Sequence, residues 1–185
     1  MSIPKPQSSE ATHARHILAE GQHLRLVREG HWEYAERTKT NRAVAIVAVT
    51  PDQKIVLIEQ YRIPVGKRVI ELPAGLVGDD ANNAGEEFVA AARRELLEET
   101  GYAAAEMRFM AVGPPTAGLA AEMVAFMLAT GLEQVAEGGG DEAEQIEVHT
   151  VGLADVGEWL AGQTSRDVLI DPKIYAGLYF AQRGS

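Results

Sequence analysis

From Arg94 to Tyr102 the chain reads Arg-Glu-Leu-Leu-Glu-Glu-Thr-Gly-Tyr, with three carboxylates in five residues and a glycine stop just beyond. At 3.6 residues per turn, Glu95, Glu98 and Glu99 project into a sector of roughly 100° on one helix face. Carboxylates held that closely repel one another, which costs helix stability and raises their pKa values. A hard cation relieves the repulsion, because Mg²⁺ takes oxygen ligands and binds through a few carboxylates together with substrate phosphates. The competing reading is a solvated acidic helix face. The flanking residues separate the two.

The elements that must position these carboxylates are legible on both sides. Glu86 to Arg93 is a good helix-forming run. Phe88, Val89, Ala92 and Leu96 share an apolar sector, so the helix can dock while its acidic edge faces a cleft. Gly101 is placed as a C-terminal cap. Ahead of the helix, Val69 to Leu72 reads as a strand running into the turn Pro73-Ala74-Gly75. Together these segments resemble the Nudix box, G-x5-E-x7-R-E-U-x-E-E-x-G-U with U a bulky apolar residue. Glu86 stands eight residues before Arg94, and Arg94 through Gly101 matches throughout. There are two departures. Ten residues separate Gly75 from Glu86 in place of five, read as a loop insertion over 77–85. Tyr102 stands where an aliphatic residue is usual.

The whole chain sets bounds. Its 185 residues suit one domain with a sizeable core, at 46% apolar and 24% charged. With no cysteine, a disulfide framework, a thiolate metal site and a thiol nucleophile are excluded. No apolar run approaches a membrane span, and Met1 to Arg15 lacks the apolar core of a signal peptide, so a cytoplasmic protein is the expectation. A net charge of −10 argues against a nucleic-acid backbone as main ligand. An anionic substrate would need local cations or metals to be held.

Along the chain, residues 1–14 read as a loose tail, and short alternating segments from His16 to Arg37 suggest an antiparallel meander. Residues 1–40 form this tail and meander, the expected dimerisation region, and 41–185 form one catalytic unit. Arg42–Val49 and Lys54–Gln60 are read as a hairpin, with further strands near Met107–Val112, Met123–Ala129 and Ile146–Val151. The box helix is expected over Glu86–Thr100, with closing helices over Leu153–Ala161 and Pro172–Arg183. Gly138 to Gln145 reads as a flexible acidic loop. The fold class is α/β, an α+β sandwich with a mixed β-sheet core and flanking helices.

The resemblance extends over most of the chain from Trp32 onward. Glu59 to Lys67, joined to Ile70–Gly75, looks like the ADP-ribose pyrophosphatase and nucleoside diphosphate sugar hydrolase branch. Pro114 to Glu122 is similar to that branch's S-P-G-x-x-x-E segment, with Ala117 where its proline is usual. Asp141 to His149 resembles its acidic catalytic loop. In such enzymes the aromatic corresponding to Trp32 stacks on the nucleobase, often across a dimer. The alternative is that Trp32 closes a small core with Tyr34. Arg37, Arg62, Lys67 and Arg68 are candidate phosphate and ribose clamps, Arg62 foremost and Arg37 next. Glu71 and Glu122 are further substrate or metal contacts, Glu71 equally suiting a buried ion pair. The five histidines show no ligand spacing.

The resemblance implies that Glu95 and Glu99, with the Ala74 carbonyl, hold Mg²⁺, or Mn²⁺ in its place. Glu98 is a third ligand or a supporting group. Arg94 orients the carboxylates by ion pairing, Glu86 and Glu98 being its nearest candidates, and Glu142 or Glu144 is the general base. The implied reaction is hydrolysis of the diphosphate bond of a nucleoside diphosphate sugar, ADP-ribose first, by a homodimer. GDP-mannose or another NDP-linked compound is the alternative substrate. A non-catalytic nucleotide-binding Nudix domain is the alternative from another class. The intact Arg94, Glu95, Glu98 and Glu99 argue against that one.

Overall fold

In the computed structural model the described residues are 13–79, 85–140 and 145–184. Strands β1 (Arg15–Glu20), β2 (Leu24–Glu29) and β3 (Trp32–Arg37) form a three-stranded antiparallel sheet. The second sheet contains β4 (Arg42–Val49), β5 (Lys54–Arg62), β6 (Lys67–Glu71), β7 (Ala74–Leu76), β8 (Tyr102–Gly113), β9 (Met123–Gln134), β10 (Glu147–Gly152) and β11 (Leu169–Ile170). Its order is β11-β6-β5-β4-β9-β8, with β10 added on β5 and β7 on β4. The β4–β9 and β11–β6 pairs are parallel, so the sheet is mixed as expected.

Alternation on β4 shows why this sheet needs cover on both faces. Ala43, Ala45, Val47 and Val49 enter one apolar cluster, while Val44, Ile46 and Ala48 enter another. Helix α1 (Phe88–Thr100) covers the second face through Phe88, Ala91, Ala92 and Leu96. Helices α2 (Val156–Gln163) and α3 (Lys173–Gly184) cover the first, through Val156, Leu160, Ile174 and Ala181.

The sequence-read elements are present with shifted ends. α1 starts at Phe88, two residues inside the expected Glu86, and β8 and β9 run to 12 residues each. β7 is a difference in kind. Residues read as a turn after Pro73 pair with β4, Ala74 opposite Ala45 and Leu76 opposite Ala43. A three-residue strand is too short to show a period of two. The N-terminal sheet is tied to the main body by β3, where the Ala35 N–H donates to the Leu119 carbonyl at 2.8 Å. The Ala121 N–H donates in turn to the Ala35 carbonyl at 2.9 Å.

Candidate active site

Helix α1 and strand β7 bring the box residues together. Cβ on Gly75 would lie 1.9 Å from the Glu95 carboxyl carbon, so only glycine lets this carboxylate cross β7. The Ala74 N–H donates to Glu99 Oε2 at 2.9 Å, fixing a carboxylate that is almost wholly buried. Arg94 binds Glu95 Oε1 at 2.8 Å, Glu98 Oε2 at 3.2 Å and Glu86 Oε2 at 3.2 Å, and donates to the Leu76 carbonyl at 3.2 Å. Glu86 and Glu98 were the partners expected for Arg94. The structure adds Glu95, and at the shortest distance.

Electrostatics follow from this crowding. Glu95 is pushed up to about 7, first by burial and then by the charges of Glu98 and Asp79, with Arg94 opposing. Burial alone would lower Arg94, but its hydrogen bond to Glu86 and the charge of Glu95 outweigh that and raise it. One guanidinium thus serves three carboxylates. The oxygen donors of Glu95 and Glu99, both largely buried, with Glu98 on the exposed side, fit a hard divalent cation.

A cleft of about 380 Å³ opens beside this cluster, and its walls include Ala74, Gly75, Glu95, Arg37, Arg62 and Glu71, with Glu122 and Lys173. Residues spread from β3 to α3 thus line one cleft. Each cation in the cleft carries a carboxylate partner. Arg37 Nε binds Glu122 at 2.7 Å, and Arg62 Nε binds Glu71 at 2.7 Å. Lys173 pairs with Asp171. Glu71 is raised by burial first and by the charge of Asp171, against its hydrogen bond to Arg62. A larger cavity of about 750 Å³, apolar through Pro64, Val65, Pro115, Phe126 and Leu169, adjoins the cleft and shares Arg62, Glu71, Val124 and Lys173 with it.

Other expected residues lie elsewhere. Arg68 is turned to Glu59 at 2.6 Å and Lys67 to Asp167, and neither lines the cleft. A strand edge directs alternate residues to opposite faces, and the Arg/Lys run could not say which ones face the cleft. Trp32 is about half exposed against His31 and does not line the cleft of its own chain. Glu98 is more than half exposed and stands at the margin. Glu142 and Glu144 fall outside the described residues.

Sequence reasoning missed Lys173, which no motif marked, and the cluster of Glu59, Glu147 and His149. The ligand atoms of that cluster lie within 4.8 Å of one another. Glu59 has no exposed surface and is already met by Arg68, by His149 at 3.0 Å and by Arg166 at 3.5 Å. With two guanidiniums on one carboxylate, it is an ion-pair network and not a cation site.

A NUDIX domain model matches residues 39–171 of the chain. The chain belongs to the NUDIX family. Among its relatives, a methanol dehydrogenase activator of Bacillus methanolicus is 34% identical over 119 residues, 64% of this chain and 62% of that protein. An ADP-ribose pyrophosphatase of Bacillus subtilis (strain 168) is 38% identical over 121 residues, 65% of this chain and 63% of that protein. The chain thus spans less than two thirds of the length of either of these relatives. A crystal structure of an ADP compounds hydrolase matches with a TM-score of 0.69 at 19% identity, covering 97% of this NUDIX chain and 96% of the other. That likeness is one of fold.

Proposed function

We propose that this NUDIX protein hydrolyses the diphosphate bond of a nucleoside diphosphate sugar, ADP-ribose first, with Mg²⁺ or Mn²⁺. The observation that carries the reading is the cleft whose walls bring the box carboxylate Glu95 together with Arg37, Arg62 and Lys173. Such a mixed wall suits a ligand that is anionic at its centre and neutral at its ends. The relative named as an ADP-ribose pyrophosphatase supports the substrate class.

Glu95 and Glu99, with Ala74 beside them, would hold the cation, and Arg94 keeps Glu86, Glu95 and Glu98 in fixed directions. When bound there, the cation neutralises the diphosphate and lowers the pKa of a water. Arg37 and Arg62 grip phosphate and ribose oxygens through their planar forks. Glu142 or Glu144 accepts the proton of the attacking water. One phosphorus–oxygen bond forms to that water and the bridging one breaks, leaving a nucleoside monophosphate and a sugar phosphate. Trp32 stacks on the nucleobase from the second subunit of a homodimer, and the protein works in the cytoplasm. Among the described residues no helix is long and apolar enough to cross a membrane.

A release assay with Mg²⁺ on ADP-ribose, GDP-mannose, other NDP-sugars and free NDPs tests the reading. ADP-ribose should give the highest kcat/KM. A preference for GDP-mannose would replace the substrate, and nucleotide binding without any turnover would establish the non-catalytic alternative.

A further inference from the structure

The last turn of α1 carries Glu98 and Glu99, and a helix end leaves its final carbonyls without partners inside the helix. Their partial negative charge sits next to the two carboxylates. Gly101 closes the first part, with φ 74° and its N–H on the Leu97 carbonyl at 2.9 Å. A segment remote in sequence meets two more of these carbonyls. The Gly139 N–H donates to the Glu99 carbonyl at 2.9 Å, and the Gly140 N–H donates to the Glu98 carbonyl at 3.0 Å. Val135 and Ala136 donate to the Gly101 carbonyl at 2.9 and 3.1 Å.

The approach is too close for a side chain. Cβ on Gly138 would lie 2.3 Å from the Thr100 carbonyl carbon and 2.6 Å from the Gly101 nitrogen. Both obstacles are backbone and cannot swing aside. Gly138 also has φ 73°, a left-handed value that favours glycine. The run Gly138–Gly140, read from sequence as part of a flexible loop, is a docked element.

We propose that Gly138–Gly140 are positioning residues, a remote cap that fixes the carboxylate-bearing turn of α1 for cation binding. The inference rests on the reading of Glu95 and Glu99 as metal ligands. Glu98 and Glu99 repel each other and the helix end, which favours fraying of the turn that bears them. Two N–H groups placed on the carbonyls of those same two residues oppose the fraying. The effect on function passes through the backbone of α1, since the three glycines bring no ligand of their own.

The test is Mn²⁺ affinity measured by calorimetry on the full chain, beside thermal melting. Gly138→Ala should weaken Mn²⁺ binding by at least about tenfold, the scale of losing support behind a metal ligand. Gly157→Ala, where Cβ meets nothing within 4 Å, should leave it unchanged. Gly139→Ala is the second variant should Gly138→Ala fail to fold. Its Cβ also meets nothing within 4 Å, and it acts only by straining φ 113° at the donor to Glu99. A folded variant with wild-type Mn²⁺ affinity overturns the proposal while the metal reading stands. A wild-type chain that binds no Mn²⁺ overturns both.

Discussion

Glu95 is held above its ordinary pKa chiefly by burial, and its pH dependence has a definite sign. Its pKa rises from an ordinary 4.5 to about 7 on folding, so between those values the folded state binds more protons than the unfolded one. The metal-free protein therefore loses stability as pH rises from about 4.5 through about 7. The loss reaches up to about 3 kcal/mol for a shift of this size. Glu95→Gln should flatten that slope and stabilise the metal-free protein at pH 8 in denaturant titrations. The same carboxyl must ionise to bind a cation, so Mn²⁺ affinity should fall towards tenfold per pH unit below about 7 and proton release should accompany binding. Equal affinity at pH 6 and pH 8 would remove Glu95 from the ligand set. The residue types of this site were legible because carboxylate spacing on a helix is local. Lys173 was not, because its place in the cleft depends on where α3 begins and not on any pattern in its own neighbours.

At the level of elements, α1 was readable from its periodicity and glycine stop, whereas β7 was not. Its three residues follow a proline and become a strand only through β4. The acidic segment after Gly140 is tested by substitution. Glu142→Gln or Glu144→Gln should lower kcat with little change in KM, because a general base acts on the attacking water and not on substrate binding. One of the two should dominate. If the double variant keeps near wild-type kcat, the base lies elsewhere, and Glu122, already in the cleft, is the next residue to replace.

For the whole molecule, the two apolar faces of the main sheet follow from alternation on β4, and that much of the fold could be read directly. The N-terminal sheet could be read as strands with apolar faces open to a partner. Leu24 and Leu26, which share one face of that sheet, are each more than 40% exposed, and a three-stranded sheet with an open apolar face is marginal alone. A two-fold partner that buries this face predicts twice the 20.0 kDa chain mass by light scattering. Trp32→Ala should then raise KM more than it lowers kcat. Mixing it with Glu99→Gln should restore a wild-type-like KM at the intact Glu99 site, which receives the partner's intact tryptophan. A monomer, or no recovery after confirmed subunit exchange, would end the shared-site account.

The central claim is that crowded carboxylates on α1 make this cleft a metal-dependent diphosphatase. Its most direct measurement is the rate of AMP release from ADP-ribose with Mg²⁺, with EDTA, and with Mg²⁺ restored, in wild type and in Glu99→Gln. The rate should vanish in EDTA and return with the metal. Glu99→Gln should lose at least about a hundredfold in kcat, the scale of removing one strong electrostatic contact. Full turnover in EDTA, or a Glu99→Gln variant as fast as wild type, would contradict the account.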